Sequence, residues 1–238
     1  MTEEVNGGSA AAEYVAHIAE VMAENERFLS ENAKGTCEEV IELINDAIDE
    51  VACAVKRPER EKDYVERAMA FFTHHVLMPL SYAVYFDLLA GNVPACFMEL
   101  RLILESLVKC YLADSQHPEV PFFQERLELL EQEIHQAELS TSKIMKELGE
   151  ELGRANDFVA LWGKLSQDWV HMKGFTDKLV NYVTQMSDMP PWALVIPMNY
   201  TLSDLSILEE LRDRILQFRS LLATAMGKYR QEYNPDTG

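Results

Sequence analysis

The chain has 238 residues, 48% of them hydrophobic, and carries 21 Lys plus Arg against 40 Asp plus Glu, a formal net charge of −19. That length and apolar share allow a sizeable core, in one large domain or two small ones. The charge excludes a broad nucleic-acid groove, because phosphate binding needs Lys and Arg to displace counterions, and it disfavours anionic membrane surfaces.

Met1-Thr2-Glu3-Glu4 lacks the basic-then-apolar pattern of a secretory signal. Residues 1–8 are expected to be disordered, since Asn6-Gly7-Gly8 holds a helix poorly. An Ala- and Glu-rich helix is predicted from Ser9 to Ala33, ending at Lys34-Gly35. Thr36 starts the next, with a capping-box spacing to Glu39. There Val40, Ile44, Ile48, Val51 and Val55 share one face, and Glu38, Glu42, Asp46 and Asp49 take the other. Pro58 marks the opening of a helix running to about Ala90. Its stretch from Ala68 to Phe86 carries no charged residue and is long enough to suggest a membrane span. Thr73, His74, His75, Pro79 and Ser81 interrupt the apolar run, however, so it is expected to be the central buried helix, kinked at Pro79.

After a turn at Gly91-Asn92, Pro94 opens a helix to about Ala113. Beyond the loop from His117 to Pro121, Phe123, Leu127, Leu130, Ile134 and Ala137 form a helical stripe. A helix from Thr141 to Leu152 stops at Gly153, with Gly149 read as part of the same stop signal. The next places Phe158, Trp162, Leu165, Trp169 and Met172 on one face as far as Gly174, and a shorter one covers Thr176 to Met186. Ser187 to Thr201 holds Pro190, Pro191 and Pro197 among Trp192, Val195, Ile196 and Met198. Three prolines exclude a regular helix, and the apolar content favours a strap packed across the bundle over a lid or partner-binding loop. The last helix is predicted from Thr201 to about Tyr229, with Leu205, Leu208, Leu211, Ile215, Leu222 and Tyr229 inward, and a flexible tail over 231–238. No period-two alternation persists. The expectation is an all-α protein: a single domain over residues 9–230, an antiparallel helical bundle of about eight helices with one Pro-rich apolar strap.

Cys37, Cys53, Cys96 and Cys110 form no Cys-x-x-Cys pair and sit in helical, apolar surroundings. They read as buried free thiols in a reducing cytoplasm, with no zinc site. Four constellations could carry chemistry. Arg101, Glu105 and Lys109 recur every four residues on one arc of an apolar helix, as a salt ladder or as a ligand-binding set. Met98, Leu102 and Leu112 enter the same arc and predict partial cover. Arg67 and His74, seven residues apart, fall on one helical face about 10.5 Å apart. There an Arg could hold phosphate while a His moves a proton, unless Asp63 neutralises the Arg. His171 lies opposite the Phe158–Trp162–Trp169 stripe, and no spacing rule ties it to Ser166 as a nucleophile. Glu13, His17, Glu20 and Glu24 share a face, but without any Glu-x-x-His motif they read as solvated. The Walker, dinucleotide-binding and nucleophile-elbow motifs are absent, and no cofactor is expected.

Two stretches carry a family resemblance. Gly91 through Leu112, with Arg101 four residues before Glu105, and Leu165-Ser166 followed by His171 together resemble prokaryotic all-helical proteins of the HEPN-like group. The resemblance covers about a third of the chain. It implies a helical scaffold, frequent dimerisation and, in active members, metal-independent ribonuclease chemistry from an Arg and a His separated by four to six residues on a helix. Arg67 and His74 alone meet that spacing here, with Ala68 where the family prefers a polar residue after the Arg. Many amphipathic helices beside no convincing catalytic set favour a non-catalytic interaction or regulatory module that forms a homodimer. A HEPN-like ribonuclease using Arg67 and His74 is the alternative. A small-ligand sensor is another, with a pocket near Arg101 and Glu105 closed by the Pro190–Pro197 strap, and with His171 as a further ligand-binding candidate.

Overall fold

The structure, a computed structural model, describes residues 7–55, 63–166 and 198–233. Among these the regular elements are helical throughout, and eight of the helices have eleven residues or more. In chain order they are α1 (Gly7–Asn32), α2 (Lys34–Val55), α3 (Asp63–Glu66), α4 (Ala68–Phe71), a π-helical turn (Phe72–Leu77), α5 (Met78–Leu89) and α6 (Val93–Gln116). There follow α7 (Phe123–Gln136), α8 (Thr141–Glu151), α9 (Ala155–Leu165), a 3-10 turn (Leu202–Asp204) and α10 (Leu205–Tyr233). The all-α class expected from the periodicity is the class observed, and no described helix is long and apolar enough to cross a membrane.

The centre of the bundle is α6, not the charge-free stretch before it. Leu100, Ile103, Leu104, Leu107, Val108 and Tyr111 are all buried, and α6 packs against α4, α5, α7, α8, α9 and α10. The helix expected to run to about Ala90 breaks at Arg67, just before the charge-free stretch, and α5 covers only one flank of α6, leaving Tyr82 and Phe86 in solvent. Pro79 sits in the first turn of α5, just past the π-helical turn, where Met78 N–H donates to Thr73 O. A proline has no N–H to return to the preceding turn, and the widened ladder takes up the mismatch.

Other departures have local causes. α1 starts at Gly7, inside the segment expected to be disordered, because extending an existing helix costs little even through glycine. Thr36 and Glu39 form no capping box: α2 begins at Lys34, the buried Thr36 hydroxyl donates to Leu208 O at 3.0 Å, and Glu39 pairs with Arg219. The reciprocal cap occurs instead at Thr201 and Asp204, at the head of the last helix. Ile48, placed inward by its phase, is exposed, and the buried face of α2 is Val40, Leu43, Ile44 and Ala47. Gly149 is no stop signal: a Cβ there would lie 2.5 Å from Ala155 Cα, so glycine lets α8 and α9 approach. α10 reaches Tyr233, past the expected start of the tail, because Tyr233 still packs on the core. Cys96 and Cys110 are buried, but Cys37 is only half-buried and Cys53 is exposed.

Of the apolar strap, residues 187–197 lie outside the described residues. The remainder is fastened to the α5–α6 turn. Met198 N–H donates to Ala90 O at 3.0 Å and the Tyr200 hydroxyl donates to Leu88 O at 2.6 Å. The buried Asn25 amide of α1 donates to Leu89 O and Met198 O, both at 2.8 Å, and its carbonyl accepts from Tyr200 N–H at 2.9 Å. One side chain thus joins three distant parts of the chain.

Candidate functional site

Three places on or beside α6 bring chemistry-bearing side chains together. The first holds Arg101 and Glu105. One turn apart, their side chains are 21% and 23% exposed, and Arg101 Nε donates to Glu105 Oε1 at 2.8 Å. Trp162 of α9 donates its indole N–H to the same oxygen at 2.8 Å. The guanidinium carbon stands 5.9 Å from the centre of the indole ring, within range of a cation–π attraction. Lys109 does not extend the ladder; it reaches Glu131 on α7 at 2.5 Å. Met98 and Leu102, expected to mark a covered arc, are about half-exposed, and only Leu112 of that set is buried.

The second place is the far end of α6, where Asp114 is fully buried. Its carboxylate accepts the N–H groups of Ala68 and Met69, both at 2.9 Å, at the start of α4. It also accepts from Arg126 Nη1 at 2.8 Å and the Tyr229 hydroxyl at 2.7 Å. Arg126 adds bonds to Val120 O at 2.7 Å and Pro118 O at 3.2 Å, stapling the α6–α7 loop to the core. Burial and the Asp114 charge push the Tyr229 hydroxyl well above the ordinary phenol range, so it stays a donor. The same two causes raise the Cys110 thiol to about 12.

Arg67 borders this hub. Its Nη1 donates to the Tyr229 hydroxyl at 3.4 Å, and its guanidinium lies 5.0 Å from the centre of the Tyr233 ring. Arg67 has extended backbone, φ −118° and ψ 126°, where the chain breaks before α4. The expected helical register between Arg67 and His74 therefore does not exist. His74 sits in the π-helical turn, with Nδ1 3.0 Å from Ala70 O and 3.1 Å from the Thr73 hydroxyl. A carbonyl at that distance calls for the proton on Nδ1. His171 lies outside the described residues, as does the Asp63 side chain. Ser166 is buried, its hydroxyl without a hydrogen-bond partner among the described residues. Of the acidic face on α1, His17, Glu20 and Glu24 are exposed, and Glu24 accepts from the Asn199 amide at 2.8 Å. No three metal-ligating side chains converge among the described residues.

The third place lies between α5 and α6, whose register is marked by Cys96 Sγ, 3.4 Å from Val84 O. Glu99 Oε2 is buried with no hydrogen-bond partner among the described residues. Burial and the neighbouring Asp87 carboxylate push the Glu99 carboxyl up to about 8. Asp87 in turn accepts from the Asn92 amide at 2.7 Å. Flanking this acid pair are four large side chains in solvent: Tyr82 (37% exposed) and Phe86 (56%) one turn apart on α5, Met98 (51%) and Leu102 (50%) one turn apart on α6.

The sequence-predicted residues are thus dispersed. Arg101 and Glu105 meet each other, Arg67 joins the Asp114 hub, and His74 caps its own turn. Asp114, Arg126 and Glu99 were not singled out by sequence, although Asp114 falls in the same helical phase as Leu100, Leu107 and Tyr111. A carboxylate in a core phase is the signal that was there to read. No family model, no curated protein and no solved structure matches this chain.

Proposed function

We propose that the protein is a non-catalytic interaction module that self-associates through the α5–α6 face. The observation that carries this reading is the exposure of Tyr82, Phe86, Met98 and Leu102 on two adjacent helices. Large apolar side chains left in solvent on adjoining helices mark contact surfaces. α5 carries a single charged residue, Asp87, and is otherwise largely apolar, which favours further burial of its exposed side. A second copy is the occupant that the charge favours. At −19, two copies repel at long range. The residues from Ala68 to Phe86 carry no charge, so the carboxyls that copies meeting there bring together are chiefly Asp87 and Glu99, the latter raised by burial and by Asp87. A basic partner would be drawn instead to the exposed Glu rows of α2 and α7.

Covering a half-exposed Phe contributes about 1 kcal/mol. In a twofold contact Phe86 counts twice, so Phe86→Asp weakens the dimer by about 2 kcal/mol or more, roughly thirtyfold. Sedimentation equilibrium in the micromolar range tests this. The expected result is a dimer for the wild-type chain and a monomer for Phe86→Asp and Leu102→Asp, both folded by circular dichroism. A wild-type monomer throughout that range, or a dimer indifferent to both substitutions, refutes the reading.

A further inference from the structure

We infer that Arg101 and Trp162 form a binding site for the carboxylate of a small monoanionic organic acid. The inference is independent of the self-association reading, because it rests on the geometry of Arg101, Glu105 and Trp162 and not on the exposed apolar side chains. Glu99 meets Asp87 on the flank turned to α5, whereas Arg101 and Glu105 meet Trp162 on the flank turned to α9.

The guanidinium is held before any ligand arrives. Its Nε–H is committed to Glu105 Oε1, its central carbon lies 5.9 Å from the centre of the Trp162 indole, and the indole N–H donates to the same carboxylate oxygen. Arginine has five N–H donors in a planar fork. Only the one on Nε has an acceptor among the described residues, and the Nη edge makes no hydrogen bond or ion pair with them. The Arg101 side chain is 21% exposed, and its outer donors reach the surface, where an incoming acceptor can meet a fork already held in place. A structural salt ladder would not need this arrangement. An i, i+4 pair on a solvated surface has no reason to recruit a tryptophan N–H from another helix or to hold the fork edge outward.

The fork fixes the ligand chemistry. Two parallel N–H donors match the two oxygens of a carboxylate, and Lys cannot reproduce that geometry. Glu105 neutralises the Arg, and the chain as a whole is strongly acidic, so a second negative charge on the ligand is penalised more than the first. This selects a monocarboxylate over a dianionic phosphate.

Isothermal titration with benzoate and with inorganic phosphate tests the site, using the full chain and following folding by circular dichroism. Benzoate is expected to bind with one-to-one stoichiometry and to raise Tm, while phosphate binds more weakly. Arg101→Lys keeps the charge and loses the fork, and is expected to weaken benzoate by at least about tenfold. Trp162→Phe keeps the ring and loses the N–H that holds Glu105, and is expected to weaken it by a smaller factor. No benzoate heat in the wild type, equal affinity in wild type and Arg101→Lys, or tighter binding of phosphate than of benzoate each overturns the proposal. If Arg101→Lys fails to fold, Trp162→Phe decides alone, and unchanged affinity there overturns it.

Discussion

Replacing Asp114 by Asn probes a fully buried carboxylate that ties four helices together. The substitution conserves shape and removes the charge. In the wild type the carboxylate accepts four hydrogen bonds, from Ala68 N, Met69 N, Arg126 and Tyr229. An asparagine offers one oxygen and one NH2, so donors on the amide side meet another donor. Arg126, whose side chain is 7% exposed, is also left without its counter-charge. Breaking a buried pair from one side costs about 3–5 kcal/mol. We expect a loss of about 4 kcal/mol, large beside the roughly 5–15 kcal/mol by which domains are stable. With a urea dependence of about 2–3 kcal/mol per molar, the unfolding midpoint falls by about 1.5 M. Tyr229→Phe is the internal control: it deletes one of the four bonds and is expected to cost about 1.5–2 kcal/mol. A loss for Asp114→Asn below about 1 kcal/mol, or no greater than that for Tyr229→Phe, refutes the account of Asp114 as the clamp between α4, α6, α7 and α10.

Glu99 predicts a pH signature. Its carboxyl is raised in the fold to about 8 from an ordinary 4.5, so its contribution is fully present below 4.5 and is lost as pH rises through 8. The whole shift corresponds to about 4–5 kcal/mol, which solvent screening of this half-exposed group cuts to roughly 1–2 kcal/mol. Urea midpoints across that range should fall for the wild type and stay flatter for Glu99→Gln; parallel profiles would dismiss the acid pair. Gly91→Ala should cost about 2 kcal/mol or more, since φ is +74° and the new Cβ would lie 2.1 Å from Met198 O. Its amide exchange should rise at Met198 and Tyr200 first, and unaltered protection there would count against the docked strap. RNA incubated with the wild-type chain in chelator should remain intact, as with His74→Ala. Cleavage by the wild type alone would shift the reading toward a HEPN-like nuclease.

Periodicity made the helical class legible because each long helix buries one stripe, and Val40, Leu208, Leu211 and Ile215 lie where their phase puts them. It was less able to rank the helices by depth. Hydropathy marked Ala68–Phe86 as central, yet α6 is deeper although it holds Arg101, Glu105, Lys109 and Asp114. Charge along a helix does not reveal whether another element answers it, and here Arg126 does so with a countercharge from α7 and Trp162 with an N–H from α9. The break at Arg67 was hidden for a similar reason: it depends on Asp114, 45 and 46 residues away, accepting the first N–H groups of α4. Arg101 with Glu105 was legible because both lie on one helix at a spacing that permits contact; Trp162 was visible only as an apolar residue in a stripe.

Asn25 finds its acceptor at Met198 and its donor at Tyr200, 173 and 175 residues downstream. On a translating ribosome, α1 through α9 therefore emerge before the segment that completes the Asn25 bonds. α10, which roofs α2 and α6, comes later still. Until then the oily sides of α2 and α6 stay open to water or to a holdase, and a message truncated anywhere before α10 would yield a sticky product rather than a smaller working protein.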